Sequence, residues 1–285
     1  MLRATYRHRL LRSTHLVALF GGNSQATLRR LQLLFHHGYL DRPAMQLDWY
    51  ARGSEPMVYA LGNRGAEALE AEGQDRRGGV RWDTKNRNLS RPFLHHTLAV
   101  AEVMVAFEVA CRNREDVQFI PPEEVLAGAP ESTRRLRLPF RWQVELRQDG
   151  KPYRLGVEPD KVFGLEFLGG APESHRRAYF FLEADRGTMP IMRKELTQTS
   201  FLRKLLAYRE TWAQGSHRAH LGISNFRVLT VTKTEDRVKN LVKACQSLSG
   251  GASGLFLFAG IGELGGAKIL TCDWRPGNKA LSLWA

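Results

Sequence analysis

The sequence has few cysteines and no long apolar run, and each shortage excludes a class of protein. Cys111, Cys245 and Cys272 stand far apart, without a Cys-x-x-Cys spacing, so we predict buried thiols rather than a disulfide framework or a structural zinc site. No window approaches the roughly 18 consecutive apolar residues of a membrane span. The basic N-terminus does not lead into a signal peptide. We therefore expect a cytoplasmic protein with no membrane partner.

Acidic residues are also in the minority. The chain of 285 residues has 29 Asp and Glu against 42 Lys and Arg, a formal net charge of +13, and its pI is about 10.0. An excess of arginine creates a surface potential that attracts polyanions. Double-stranded DNA is therefore the expected partner. A basic membrane-surface protein fits less well, because no long amphipathic helix combines a Lys/Arg face with aromatic anchors.

The first 80 residues have the pattern of a helix-turn-helix. A short apolar helix is predicted over 14–20, Gly21-Gly22-Asn23 interrupts it, and Ser24 is the expected N-cap of a second helix that ends near Gly38. The second helix of such a motif enters the DNA major groove. We therefore predict that DNA is contacted by the polar residues of this helix, namely Gln25, Thr27, Arg29 and Arg30.

Two strand signals and a further helix signal follow. Residues 39–40 and 57–61 are typical of strands joined by a long turn, and a helix is predicted over 63–71. This order resembles the winged-helix domains of DNA-binding regulators and replication proteins, with Arg52 near the wing tip, where it would reach phosphate or the minor groove. Two other interpretations stay open: Arg29 and Arg30 form an ordinary solvated helix face, or the domain docks a protein.

A polar stretch then separates this region from a longer α/β pattern. We place a winged-helix domain at 1–80, a linker at 81–91 and a second domain at 92–285. In the second domain, helix signals alternate with strand signals, which predicts an α/β domain in a chain that is α+β overall. The helices are predicted over 92–112, 190–212 and 235–247, and the later strands over 227–232, 255–259 and 268–272.

Two strand-like segments in this second domain end in carboxylates. Residues 155–160 end at Asp160, and residues 178–185 carry Glu183 and Asp185. Carboxylates at the ends of apolar strands are costly unless they bind a metal, meet a cation or reach water. A helix, a three-stranded meander with Asp160 and Glu183, and then helix, strand and helix resembles the PD-(D/E)XK core of restriction-endonuclease-like proteins, which is built on a central mixed sheet.

That resemblance implies a metal-dependent site. In active members the Asp and Glu hold a divalent ion and a glutamate of the first helix joins them, which here implies Glu102, Asp160 and Glu183 with Mg²⁺ or Mn²⁺ as a Lewis acid. The usual lysine position is Asp185. In an active enzyme Lys204 or Lys194 would replace that lysine. In an inactive scaffold, which we favour and which needs no cofactor, Asp185 would pair with Arg186 or Arg203.

Nearly the whole chain resembles the replication-relaxation family of plasmids and integrative conjugative elements. The features that carry the match are the winged-helix pattern, the helix start 94–100, the Pro159-Asp160 step, and the string 183–188 followed by 204–208. The resemblance implies an accessory DNA-binding protein of mobile-element replication or relaxation, which assists a relaxase or helicase and is compatible with a homodimer. A metal-dependent DNA endonuclease and a transcriptional repressor stay open as alternatives.

Overall fold

The computed structural model describes residues 1–46, 55–73, 80–168, 176–248, 254–264 and 266–277. The chain divides into two compact units, Met1–Val105 and Ala106–Ala285. Helices and sheets occur in both units, and the larger sheet is mixed. The predicted α+β class is therefore confirmed.

The first unit is built on a small antiparallel sheet with the strand order β1-β3-β2. These strands are β1 (Leu10–Arg12), β2 (Leu40–Asp41) and β3 (Val58–Leu61). All four residues of the central strand β3 are buried, as expected for a strand with partners on both sides. The helices of this unit are α1 (Leu2–His8), α2 (Ser13–Phe20), α3 (Ser24–His36), α4 (Asn63–Ala71) and α5 (Trp82–Arg87).

A tight turn separates α2 from α3. Gly21 and Gly22 have φ angles of +64° and +71°, a region that glycine adopts without the steric cost of a side chain. Asn23 caps α3, because its Oδ1 accepts a hydrogen bond from the backbone N–H of Ala26 at 3.1 Å. The predicted cap at Ser24 is thus displaced by one residue. Gly38, with φ +73°, follows the end of α3 as expected.

The segment predicted as a linker belongs to the first unit. Trp82 is fully buried at the start of α5, in a cluster with residues of α4. The buried Asn86 accepts from Arg9 Nη1 at 2.6 Å and donates to Asp41 Oδ2 at 2.8 Å and to the Leu61 carbonyl at 2.9 Å. The prediction of a linker at 81–91 was wrong. The polar composition of this stretch indicated a linker, but Trp82 and Asn86 are buried in the first unit.

Helix α6 (Arg91–Arg112) is the one helix in the described ranges that is long and apolar enough to cross a membrane by length and composition alone. Half of its most apolar window is buried inside the protein. Leu94 and Leu98 lie in the core of the first unit, and Phe107 packs against Phe163 in the second unit. Contacts within the protein thus account for much of its apolar character.

The second unit contains a six-stranded mixed sheet of order β11-β10-β9-β8-β7-β4. Its central strand β8 pairs in parallel with β9 and antiparallel with β7. The strands are β4 (Val117–Ile120), β7 (Lys161–Phe167), β8 (Arg177–Asp185), β9 (Arg227–Thr232), β10 (Phe256–Gly260) and β11 (Arg275–Pro276). Strand β7 is not predicted by the sequence pattern, in which the glycines and prolines between the two carboxylate-bearing segments indicate a turn.

The predicted meander is instead a separate hairpin followed by β7. Strands β5 (Trp142–Gln148) and β6 (Lys151–Val157) form a two-stranded sheet of their own. Asp149 and Gly150 turn the hairpin, with φ angles of +52° and +74°, the positive values that a two-residue type I′ loop requires.

The remaining helices are α7 (Pro122–Ala127), α8 (Glu131–Arg134), α9 (Phe201–Ala213), α10 (Ser216–Leu221) and α11 (Glu235–Gln246), with 3₁₀ turns at Ala44–Gln46, Ile261–Glu263 and Gly266–Leu270. The helix predicted over 190–212 begins only at Phe201, because Ser200 Oγ caps it by accepting from the Arg203 N–H at 3.2 Å. The strand predicted near 268–272 is a 3₁₀ turn, and β11 follows it.

Candidate functional site

Two neighbouring antiparallel strands bring Asp160 and Glu183 together. Lys161, the first residue of β7, pairs with Leu182 of β8, so the residue before β7 lies beside the end of β8. The N–H of Asp160 donates to the Leu182 carbonyl at 3.0 Å, and its Oδ2 accepts from the Ala184 N–H at 2.8 Å. The carboxylate of Asp160 therefore tethers the two strands in addition to facing the site.

Glu183 is bound by two side chains of helix α9. Its Oε2 accepts from Lys204 Nζ at 2.5 Å, and its Oε1 accepts from the Tyr208 hydroxyl. Lys204 and Tyr208 are four residues apart and so lie on one side of the helix. Glu183 and Tyr208 are each 2% exposed, whereas the lysine side chain is 34% exposed. Both carboxylate oxygens of a buried glutamate are thus occupied by donors of the protein itself.

Burial dominates the protonation of this cluster. Loss of solvation and the nearby Asp160 raise the pKa of Glu183 to about 7, although Lys204 and Tyr208 act in the opposite direction. Burial works to lower the pKa of Lys204, but the charges of Glu183 and Asp160 outweigh it and the net shift is upward. Burial and Glu183 together hold the pKa of Tyr208 well above its usual value.

Asp185 is neutralised by an arginine that the sequence did not point to. Arg237 of α11 forms a bidentate contact with it, with Nε to Oδ2 at 2.8 Å and Nη2 to Oδ1 at 3.1 Å. Thr232 donates a further bond to Oδ2 at 3.0 Å. The expected pairing with Arg203 is wrong, because Arg203 donates to the backbone carbonyls of Leu196 and Arg154 instead.

Glu102 belongs to the first unit, whereas Asp160 and Glu183 belong to the second. Its Oε2 is 2.8 Å from His15 Nε2 and 3.0 Å from Arg12 Nη1. The His15 hydrogen bond contributes most to a lowered pKa of Glu102.

Clustered metal ligands are few among the described residues. Among them, no group of three or more His, Cys, Asp or Glu side chains could hold a metal ion. Both oxygens of Glu183 and one oxygen of Asp160 already accept hydrogen bonds from the protein. An ion bound by this pair would therefore have to share or displace the Lys204 and Tyr208 contacts of Glu183, since Mg²⁺ is held in proteins by one or two carboxylates together with water.

The predicted DNA contacts separate into two faces of α3. Gln25, Arg29 and Arg30 are exposed, but Thr27 is only 8% exposed and lies on the inner face. This burial does not fit the predicted contact of Thr27 with DNA. Arg52 lies outside the described residues. The outer face of α3 also carries Leu33, which is 52% exposed.

Sequence reasoning missed Tyr208 and Arg237 as partners of the carboxylates. Tyr208 had a usable signal, since it follows Lys204 by four residues on a predicted helix after a buried strand. Arg237 had none, because it is one of several exposed-looking cations near the start of α11, and only the parallel pairing of β8 with β9 brings that start to Asp185.

Comparison with protein families matches residues 2–225 to the replication-relaxation family. The chain belongs to this family, as its motifs indicated. Membership supports a role in the replication or relaxation of plasmids or other mobile elements and links the protein to DNA processing. Neither the curated proteins nor the solved structures contain a significant match to the chain.

Proposed function

We propose that the protein is a DNA-binding accessory factor of mobile-element replication or relaxation that binds duplex DNA through the outer face of α3. The observation that carries the proposal is the exposed pair Arg29 and Arg30, next to Gln25, on the helix that follows the Gly21-Gly22 turn. Its inner face is anchored by the buried Thr27 and Leu31. Arginine and glutamine are among the side chains that contact phosphates and base edges in protein–DNA complexes.

The surroundings of α3 support a winged helix-turn-helix. The order α1, β1, α2, α3, β2, β3 and the sheet order β1-β3-β2 fit such a domain. The segment between β2 and β3 would then be the wing, and Arg52 lies in it. A cytoplasmic location and an encounter with a relaxase or helicase, or with a second copy of the chain, belong to the same proposal.

The DNA proposal is tested by binding a labelled duplex to the full chain at several salt concentrations. Arg29→Ala/Arg30→Ala should weaken binding and reduce the slope of log K against log salt by about 2 in magnitude, because two phosphate contacts would be lost. Arg81→Ala/Arg87→Ala is the matched control, since it removes the same charge from α5 and its start, where both arginines bridge Asp83. Equal binding by wild type and the α3 variant would refute the proposal.

We further propose that the carboxylate cluster is a structural remnant of a nuclease-like site. Lys204 and Tyr208 occupy Glu183, the Ala184 N–H binds Asp160, and Arg237 binds Asp185. Each carboxylate is thus stabilised by a donor that would have to be displaced before a metal could bind. The arrangement supports cohesion of α9 and α11 with β8 rather than hydrolysis.

One observation favours the alternative of an active nuclease. Lys204 Nζ lies 2.5 Å from Glu183, the place where a lysine supplied by α9 would stand if it replaced the one absent at Asp185. Incubation with supercoiled, linear and single-stranded DNA in Mg²⁺ or Mn²⁺ separates the two alternatives. Cleavage by wild type that Asp160→Ala abolishes would establish the nuclease. The structural proposal expects no cleavage by either protein.

A further inference from the structure

A second basic surface lies in the second unit, on the segment 134–154. This basic segment runs from the end of α8 through a loop into the β5–β6 hairpin. It contains seven Lys or Arg residues against two acidic residues. All seven cations are exposed. The segment is therefore strongly positive, although the function proposed above uses none of it.

Most of these cations have no counter-charge. Three are engaged in exposed ion pairs: Arg135 with Glu131, Arg141 with Glu158 and Arg154 with Glu145. The other four form no ion pair within the part of the chain that the structure describes, and they are Arg134, Arg137, Arg147 and Lys151. Unpaired arginines close together in sequence repel one another, which a polyanion would relieve.

The loop of this segment is braced by His220. The Thr133 hydroxyl donates to the His220 carbonyl at 2.6 Å, and His220 Nε2 donates to the Pro139 carbonyl at 2.8 Å. Residues 134–138 are thus bridged at both ends. Leu136 and Leu138, between the arginines, are about half exposed at 48% and 51%.

The hairpin that continues the segment is also fixed from outside. Gln214, just after α9, bonds both backbone groups of Glu145 on the free edge of β5, and Arg203 donates to the Arg154 carbonyl on the free edge of β6 at 3.3 Å. Glu145 and Arg154 lie directly opposite each other in the hairpin. Helix α9 and its C-cap residue therefore hold both edges of the hairpin at the same residue pair. Seven residues of strand extend about 20 Å, a length that crosses several phosphates of a DNA backbone.

We infer that the basic segment is a second nucleic-acid-binding surface that contacts the phosphate backbone of DNA. This inference rests on the DNA-binding function proposed above, but its test uses residues outside α3. Phosphate is the recognised group, because four unpaired cations spread along a braced loop and hairpin match a line of separate charges better than a single anionic site. The two leucines would contact sugars, which offer apolar surface between phosphates.

The test is the salt dependence of duplex binding by the full chain. The variant Arg134→Ala/Arg137→Ala/Arg147→Ala/Lys151→Ala should reduce the slope of log K against log salt by about 2 to 4 in magnitude. A matched control, Arg176→Ala/Lys233→Ala/Lys239→Ala/Lys243→Ala, removes the same formal charge from other exposed positions of the second unit and should change the slope by less than about 1. Circular dichroism establishes that both variants are folded.

The outcomes separate this inference from the role of α3. A reduced slope in the basic-segment variant alone supports the second surface and refutes the α3 contact. A reduced slope in Arg29→Ala/Arg30→Ala alone, with the basic-segment variant like its control, overturns the second surface. Absence of duplex binding by wild type overturns both. Loss of binding to phosphatidylserine vesicles by the basic-segment variant, with its DNA slope unchanged, would assign the surface to a membrane and overturn the inference.

Discussion

Glu183 shows how two donors of the protein itself hold a carboxylate in the core. Its two oxygens each receive a donor from α9, one from a cation and one from a hydroxyl. A buried charge without such partners would cost several kcal/mol. Strand β8 places Glu183 in the core because Phe181 lies on the same face of the strand. Phe181 packs on Trp142, Tyr208 and Phe226.

The raised pKa of Glu183 predicts a specific pH dependence. Because the pKa is about 7 in the folded chain against 4.5 as its ordinary value, the folded state holds its proton more tightly. The contribution of Glu183 to the free energy of unfolding is fully present below pH 4.5 and is lost as the pH rises through 7. The loss is at most about 1.4 kcal/mol per pH unit. We expect Glu183→Gln to gain stability relative to wild type over this window.

Urea denaturation at about pH 5 and at about pH 7.5 measures the effect, because these two values enclose most of the window. The free energy of unfolding of wild type minus that of Glu183→Gln should be smaller at the higher pH than at the lower one. A difference that stays constant or grows with pH would show that Lys204 outweighs burial, the reverse of the expected direction.

Asp185 makes the opposite case, a carboxylate held by a dedicated arginine. Its side chain is 4% exposed and that of Arg237 is 17% exposed. Arg237→Gln would leave Asp185 buried without its cation, so we expect a loss of about 3 kcal/mol in the free energy of unfolding, measured by urea denaturation. Lys239→Gln on the same helix is the control. Its partner Glu235 is 3.9 Å away on the surface, so stability should stay close to wild type. Similar losses in the two variants would show that Arg237 has no special role.

At the scale of elements, α5 completes the first unit. Its Asn86 satisfies groups of Arg9, which follows α1, and of the strands β2 and β3 at once. Asn86→Ala would leave Asp41, Arg9 and the Leu61 carbonyl short of a partner. We expect a loss of about 2–3 kcal/mol in the free energy of unfolding, measured by urea denaturation. Asn88→Ala, an exposed position just after α5, is the matched control, and an equal effect of both changes would refute a structural role for α5.

Helix α9 connects the hairpin to the central sheet. At its C-terminal end, Gln214 makes the contact with the hairpin. Gln214→Ala frees the edge of β5 at Glu145, so hydrogen exchange in β5 should become faster, with a loss of about 1 kcal/mol. The control is Gln143→Ala, an exposed position on the same strand. Unchanged protection of the Glu145 amide in Gln214→Ala would show that the hairpin holds its own edge.

Local patterns predicted elements well where one period dominated. The helix at 63–71 and the strand at 227–232 agree with the structure residue by residue. Strand β7 was missed because Gly164 interrupts its apolar run. An added Cβ at that glycine would lie 3.1 Å from the Tyr179 ring and 3.2 Å from the Ala178 carbonyl, so these neighbours would have to shift to admit a side chain.

The candidate site was only half predictable, because local patterns predict a residue's element and not its distant partners. Asp160 and Glu183 were found because each lies beside an apolar run. Arg237 reaches Asp185 through a crossover between parallel strands, and Glu102 pairs with residues nearly 90 positions earlier in the chain. Such long-range pairings leave no local spacing to read.

At the scale of the whole molecule, the net charge of +13 includes exposed cations in both units that form no ion pair within the described ranges. Arg29 and Arg30 lie on α3 in the first unit, and four cations of the basic segment lie in the second. The partly buried Arg237 and Lys204 differ, because each is held by a carboxylate. Cations that stabilise the carboxylate cluster are thus paired, whereas those proposed to contact DNA are exposed.

Duplex binding through α3 is measured most directly with the full chain as a function of salt, for wild type, Arg29→Ala/Arg30→Ala and the control Arg81→Ala/Arg87→Ala. We expect salt-dependent binding by wild type and by the control, and a weaker, less salt-dependent binding by the α3 variant, with a slope reduced by about 2. If the α3 variant instead matches the control in both affinity and slope, α3 does not contact DNA.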